Sequence, residues 1–404
     1  MKILHVFYST LPSAKGGDIR SRDVIESQAK LGLDVLAFSS PFQPPEKAGA
    51  KVEHFNEIPY YRSYDETEGL RITELDQGLK VKLRKALKLF SFGEEVINLA
   101  RRVKPDVIHA HSTFFCAFAG HKAARKLGLP LVYEVRSLWE ERSVLKAPSL
   151  KTRLIARAFR EIETRAMRLA DHVVVISEGL RRDVIARGIP EDRISMIGNA
   201  ANLSRVRVDS ATTRDKAPSD WVFAYVGNLS NIEGLDLLIE AVRDLRTKGW
   251  TNPVHLHGDG PAMAELKRLA AGVEDITFHG SFKPDVALSI YSAVDFIVNP
   301  RRRSPLTDKV TPLKPLEAMA WRKPVITSSV AGMLELVCDG ETGFVFEADN
   351  AQDLADTLQR VTESAEAIPA LIERAHEFVL EERSWHANGL KYKALYSQLI
   401  GHHS

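Results

Sequence analysis

What this 404-residue chain has little of narrows it first. It carries two cysteines, Cys116 and Cys338, too far apart in sequence to form a CxxC pair. That excludes a disulfide framework and a cysteine zinc site, and it suits a reducing compartment. No apolar run approaches the ~18 residues of a transmembrane helix, and the opening MKILHVFYST breaks off after one short apolar run, unlike a signal peptide. The expectation is a cytoplasmic protein, soluble or peripheral at the inner face of the plasma membrane. There is no G-x-G-x-x-G, which disfavours a nicotinamide cofactor, and no D-x-D pair to hold a metal. Low-complexity segments and short-period repeats are also missing. A large charge of either sign is missing too: 55 Lys+Arg stand against 53 Asp+Glu, which argues against a dedicated nucleic-acid binder.

The small total conceals an asymmetry. Residues 1–200 hold 33 basic and 25 acidic side chains, whereas residues 201–404 hold 22 and 28. The positive half is expected to meet an anionic partner.

What is present is alternation. Ile3–Phe7, Val35–Phe38, Val107–His109, Leu131–Val135 and Val173–Ile176 read as buried strands, with helical spacing over 20–31 and 117–127 between them. The polar stretch 203–220 interrupts the pattern, which then restarts. Val222–Val226, Val254–His257, Phe296–Val298, Val325–Thr327 and Phe344–Phe346 are strand candidates, with helices over 234–247, 261–271 and 351–361. Such βα alternation predicts an α/β protein of two Rossmann-like doubly wound domains facing a cleft. The expected divisions are 1–203, a linker at 204–219, a second domain at 220–380, and a last helix within 381–404 that returns to the first domain.

Several strand ends carry chemistry. Gly16 and Gly17 follow the first strand and open a helix, where backbone amides can meet an anion. PDVIHAHSTFF ends a strand in His109-x-His111, either a packed pair or a site. VYEVRSLWEER sets Glu134, Arg136, Trp139 and Glu140 after another strand, either a recognition edge or a surface ion cluster. In the second half, YVGNLSNIEG places Gly227 and Asn228 at a turn, and HLHGDGP does the same with Gly258 and Gly260. The densest stretch is NPRRRSPLTDKVTPLKPLEAMA. Arg301, Arg302 and Arg303 follow a strand end, where they are expected to face the crevice. Thr311, Pro312 and Leu313 are expected to open a helix whose amides bind a diphosphate, with Lys314 adding charge. Glu317 follows three residues later, where a carboxylate suits ribose hydroxyls.

At this stretch the sequence resembles the family 4 retaining glycosyltransferases of GT-B fold. The resemblance covers nearly the whole chain: the Gly16-Gly17 loop, the strand ending at His111, VVVISEGLRRD, Asn199 in IGNAAN, and TPLKPLEAMAWRKPVITS follow the family's order. RRR before TPLKPLEAMA, with YEVRSLWE and EGLDLLIEA, is most similar to exosortase- or exopolysaccharide-associated bacterial members. Two departures stand out. The family's basic pair is replaced by Gly227-Asn228 and Glu233-Gly234, and Lys309 stands eight residues before Glu317 where a glutamate is usual. Arg301–Arg303, Lys309 and Lys314 are left to supply the positive charge.

The resemblance implies transfer of a hexose-type sugar from a nucleotide-diphosphate donor, a UDP-sugar before GDP-mannose, to a glycan or lipid-linked acceptor in cell-surface polysaccharide or glycoconjugate synthesis. Retention is expected by front-face attack, without cofactor or metal. His111 would contact the donor sugar, Glu317 would hold the ribose, and Asp308 or Lys309 would touch sugar or phosphate. The competing readings are a nucleotide-sugar 2-epimerase and a non-catalytic nucleotide-sugar-binding partner.

Two basic helices complete the reading. Residues 79–92 contain five Lys/Arg and no acid, with Leu79, Leu83, Leu87 and Phe90 on one face, and are expected to meet an anionic membrane surface. Residues 150–169 repeat the pattern through Leu154, Ile155, Ala158, Phe159, Ile162 and Leu169. There the expectation is core packing, because the segment leads straight into a strand.

Overall fold

A computed structural model describes residues 1–12, 16–43, 50–63, 79–138, 141, 149–206, 216–282 and 286–403. Trp139, Glu140 and most of the expected linker, residues 207–215, lie outside them, as do the side chains of 79–86, 89 and 90 in the first basic helix. The chain divides into two compact units, residues 1–198 with 385–404, and residues 199–384.

The first unit is built on an eight-stranded sheet. Its strands are β1 (Lys2–Phe7), β2 (Asp34–Ser39), β3 (Val52–Phe55), β4 (Ile58–Arg62), β5 (Val107–His111), β6 (Leu131–Val135), β7 (His172–Val175) and β8 (Ile194–Met196). They run in the order β3-β4-β2-β1-β5-β6-β7-β8. Every pairing is parallel except the β3–β4 hairpin at one edge. Central parallel strands are covered on both faces and therefore read as continuous buried runs, as β5, β6 and β7 do. Polar residues nonetheless stand buried in such runs: His5 in β1, His109 and His111 in β5, Glu134 in β6 and His172 in β7.

The second unit carries β9 (Phe223–Val226), β10 (Val254–His257), β11 (Ile276–Gly280), β12 (Phe296–Asn299), β13 (Val325–Ser328) and β14 (Phe344–Phe346). All are parallel, in the order β11-β10-β9-β12-β13-β14. This is the doubly wound order, and its direction reverses between β9 and β12. Phe223, Tyr225 and Leu256 pack under the helices Leu235–Thr247 and Ala351–Glu363 on one face, and Ala224, Ile297, Leu316 and Met319 fill the other.

The expected strands all form, and β5 runs on to include His111. Four strands went unread: half-exposed β3 and β11, whose apolar residues are too few to stand out from loop, β4, which carries Pro59, and the three-residue β8. The helix expected from Thr311 is corrected: it spans Lys314–Ala320, and Pro315 rather than Pro312 occupies its first turn. The last helix, Trp385–His403, belongs to the first unit. There Gly389 lets it close on the end of the helix Gly16–Lys30; a Cβ on it would lie 2.7 Å from Leu31 Cδ1.

Candidate active site

In the first unit the carboxyl ends of β1, β5 and β6 gather three histidines, a glutamate and two arginines. Hydrogen-bond geometry fixes a direction through them. Arg136 Nη2 donates to His111 Nδ1 at 2.7 Å, so the His111 proton sits on Nε2, 2.9 Å from His5 Nδ1. His5 Nε2 then donates to Gln28 Oε1 at 3.0 Å, and the Gln28 amide donates to the Tyr396 hydroxyl at 3.1 Å. That hydroxyl passes its own proton to His109 Nδ1 at 2.6 Å. His109 Nε2–H is left facing Glu134 Oε2 at 3.7 Å, without a hydrogen bond of its own.

All three imidazoles are neutral in this chain. Burial lowers each pKa, taking His5 down to about 4; His111 adds to the shift on His109, and Arg136 to that on His111. Burial alone would raise the Glu134 carboxyl. Arg136, whose Nε lies 2.6 Å from Oε1, and Arg20 at 3.2 Å outweigh it and hold the group well below the usual carboxylate range. Tyr392 donates to the other oxygen. With one hydrogen bond accepted at each ring, the three imidazoles have no lone pair left to offer a metal.

His111 is therefore a buried, oriented ring at the end of β5, stacked on Phe7 with centroids 4.2 Å apart. Arg136 links it to the glycine loop: Nη1 donates to the Gly17 carbonyl at 3.1 Å and to Ser21 Oγ at 2.7 Å. Gly17 itself is exposed, with nothing within 4 Å of where a Cβ would stand. The loop before Gly16, residues 13–15, lies outside the described residues.

The second unit builds its cluster where β9 and β12 part. Lys314 Nζ pairs with Glu233 Oε2 at 3.0 Å and donates to the Tyr225 hydroxyl, which donates to the Asn228 carbonyl at 2.8 Å. The Lys314 side chain fills the space over Gly227, where a Cβ would sit 2.4 Å from Cε. Burial tends to raise the Glu233 carboxyl, but Lys314 and Arg301 win and hold it below its ordinary value. Burial, with Arg301 adding to it, lowers the Lys314 ammonium. Arg301 is 6% exposed; Nη1 donates to the Val310 carbonyl at 3.2 Å, while Nε is buried with no hydrogen-bond partner. Two cations thus face one carboxylate at the switch point, and one of them holds an unused donor. Glu317 lies one helical turn beyond Lys314, with its Oε2 3.5 Å from the Tyr291 hydroxyl.

Other expected site residues have structural work. Arg302 and Arg303, expected to face the crevice, are corrected: Arg302 is held by Asp236 and Asp349, and Arg303 donates to the Ser329 carbonyl at 2.9 Å. Asp308 Oδ1 accepts from the Ala331 amide at 2.9 Å and caps the next short helix. Thr311 is buried, its carbonyl held by Asn199 Nδ2 at 2.6 Å, and Pro312, Leu313 and Lys309 are half-buried beside it. The space at Gly258 belongs to protein: a Cβ there would meet the Gly227 carbonyl oxygen at 1.7 Å. Asn228 keeps an exposed side chain.

Sequence reasoning missed His5, Arg20, Tyr392 and Tyr396 in the first unit and Tyr225, Glu233 and Asn299 in the second. Asn299, the last residue of β12, is 1% exposed and neither end of its amide has a partner. A polar residue in an otherwise apolar strand was the available signal for His5 and Asn299.

Two doubly wound parallel-sheet domains, each with polar residues at the carboxyl ends of its central strands, define a protein of GT-B architecture. A family model described as Glycosyltransferase Family 4 matches residues 15–205, and one described as Glycosyl transferases group 1 matches residues 220–364. Together they take in most of the chain and support a family 4 glycosyltransferase of GT-B fold. It is 24% identical over 398 residues to the alpha-D-kanosaminyltransferase of Streptomyces kanamyceticus, covering 94% of this chain and 98% of that protein. Among solved structures, the sucrose-phosphate synthase of Thermosynechococcus elongatus aligns over 100% of both chains with a TM-score of 0.75 at 21% identity. Anabaena Alr3699/HepE, solved with UDP-glucose, aligns over 98% of this chain and 100% of its own with a TM-score of 0.71 at 19% identity.

Proposed function

We propose that this glycosyltransferase moves a hexose-type sugar from a nucleotide-diphosphate donor to a hydroxyl of a glycan or lipid-linked acceptor, with retention and without a metal. The donor is a UDP-sugar before GDP-mannose, and the product belongs to cell-surface polysaccharide or glycoconjugate synthesis. The observation that carries the reading is Arg301: a buried guanidinium with an unused N–H, beside Lys314 at the point where the second sheet reverses. A buried donor of that kind costs about 1–3 kcal/mol unless a ligand satisfies it, and an anion fits its charge. Crevices at such reversal points are where nucleotide ligands bind in open α/β sheets.

Departure of the diphosphate builds negative charge on the leaving group. Lys314 and Arg301 are fixed donors that stabilise that charge with little reorganisation. Glu317, one turn along, takes the ribose hydroxyls. His111, oriented by Arg136, contacts the donor sugar, and attack proceeds from the face the diphosphate leaves. The UDP-glucose in the Anabaena relative supports the choice of base. Basic, apolar helices in the first unit support a peripheral station on the inner face of an anionic membrane, in the cytoplasm.

The test is a panel of nucleotide sugars added to the EDTA-treated full-length protein, read by thermal shift and by release of the nucleoside diphosphate. A UDP-sugar should raise the melting temperature most and release UDP, and Arg301→Gln should lose both effects. Equal responses to all donors, or full release by Arg301→Gln, would overturn the assignment.

A further inference from the structure

Three histidines at the edge of the second sheet are not among the side chains assigned to the transfer reaction. His255 and His257 are alternate residues of β10 and therefore point to one face. His279 reaches the same place through an irregularity in β11. The register runs Leu256↔Phe278 and then His257↔Gly280, so His279 is the extra residue of a β-bulge. Bulges re-aim a side chain, and this one turns His279 onto His257, with ring centroids 4.1 Å apart. His255 stands edge-on to His279 at 4.8 Å. One ligand nitrogen from each ring lies within 4.8 Å of those of the other two.

No hydrogen bond to any of the three side chains occurs among the described residues. His257 is only 9% exposed, and its Nε2 is buried without a partner. Burial, with the neighbouring imidazoles adding to it, keeps His255 and His257 in the neutral form that ligates metals. His279 is exposed and His255 half-exposed, which leaves an entry path. Three imidazole ligands suit a borderline divalent ion far better than Mg²⁺ or Ca²⁺, which take oxygen ligands. A tetrahedral zinc with bonds of 2.0–2.1 Å holds its nitrogens about 3.4 Å apart, so side-chain rotation alone closes the set.

We infer that His255, His257 and His279 form a binding site for one late first-row divalent ion, with zinc as the reference, whose remaining position is open to water. The ion would clamp β10 to the edge strand β11 just before the Gly258 turn. None of the three ligand side chains is assigned to sugar transfer, although the His257 carbonyl accepts from the Gly227 amide at 2.9 Å.

The experiment uses tag-free full-length protein, stripped with EDTA and dialysed, then titrated with ZnCl₂ by calorimetry and with CoCl₂ by visible absorption. One ion per chain is expected, with the ligand-field bands of four- or five-coordinate cobalt. His279→Ala and His255→Ala alter accessible side chains and should each weaken zinc binding at least 10-fold while keeping the fold by circular dichroism. Absence of zinc binding in the wild type would overturn the site. Unchanged affinity and stoichiometry in both variants would also overturn it, by assigning the ion to other histidines.

Discussion

Lys314 shows how one residue acquires its meaning from residues far away in the chain. Its ammonium reaches Glu233, 81 positions earlier, and its stem crosses Gly227. By sequence, Glu233 stood where a cation was wanted and counted as a loss. In the fold it holds Lys314, the lysine we propose supplies that charge, a relation no local window can contain. Arg301 was legible as a basic residue after a strand, whereas Arg302 and Arg303 were indistinguishable from it until their partners came into place, two aspartates for Arg302 and Ser329 for Arg303. Lys314→Ala should therefore cut kcat about 100-fold, the scale of losing one fixed donor to a developing anion. It should also lower the melting temperature, because it leaves the buried Glu233 carboxylate without its closest cation. Gly227→Ala tests the same contact from the other side. Its φ of 149° and the 2.7 Å approach to Nζ force the lysine aside, so steady-state kinetics should show a comparable fall in kcat. A Gly227→Ala enzyme with normal kcat would show that the position of Lys314 over this turn is immaterial.

At the scale of elements, most central strands were readable because burial on both faces writes an unbroken apolar run. The apolar edge strand β14 was readable too, while interior β4, interrupted by Pro59, and the sparsely apolar edges β3 and β11 were not. The basic helix Leu150–Leu169 is the instructive failure. Core packing was expected along its apolar face, but only its second half is buried, through Glu163, Thr164, Ala166 and Met167. Leu150 is 76% exposed and Leu154 57%, with Ile155 and Ile162 also exposed and Lys151, Arg153 and Arg157 in the open between them. The pattern fixed an amphipathic helix but could not say which partner its face has. An exposed apolar stripe flanked by arginines suits an anionic bilayer, where each basic residue near the surface contributes about 1 kcal/mol. Cosedimentation with phosphatidylglycerol vesicles should therefore fall at least 10-fold in a Leu150→Glu, Leu154→Glu double variant, and in wild type at high salt. Equal sedimentation of the two proteins would remove this helix from the membrane contact.

For the whole molecule, the return of the last helix ties the first unit's active-site residues to its stability. Tyr392 donates to Glu134, Tyr396 donates to His109, and Asn388 Nδ2 donates to the Gly198 carbonyl at 2.9 Å, where the first pass of the chain through this unit ends. The aromatic spacing of the helix was legible; its partners were not, because they lie more than 180 residues earlier. This arrangement makes acid the unit's weakness. A histidine buried as the neutral form has a folded pKa below its unfolded value of about 6.5, so the unfolded chain binds more protons and stability rises with pH across that window. For His5, with a folded value of about 4, the contribution is complete above about pH 6.5 and is lost as pH falls towards 4. That loss is on the order of 3 kcal/mol for this one ring. His109 and His111 shift in the same direction, and Glu134, held ionised by its arginines, loses its own contribution below the ordinary carboxylate range. Urea unfolding at pH 7.5 and pH 5 should show the first unit losing several kcal/mol, and the second unit also losing stability through His255 and His257, whose pKa values burial lowers in the same direction. His5→Gln should flatten the pH dependence of that transition by removing the ring that both His111 and Gln28 address. An unchanged slope in His5→Gln would assign the acid sensitivity to other groups.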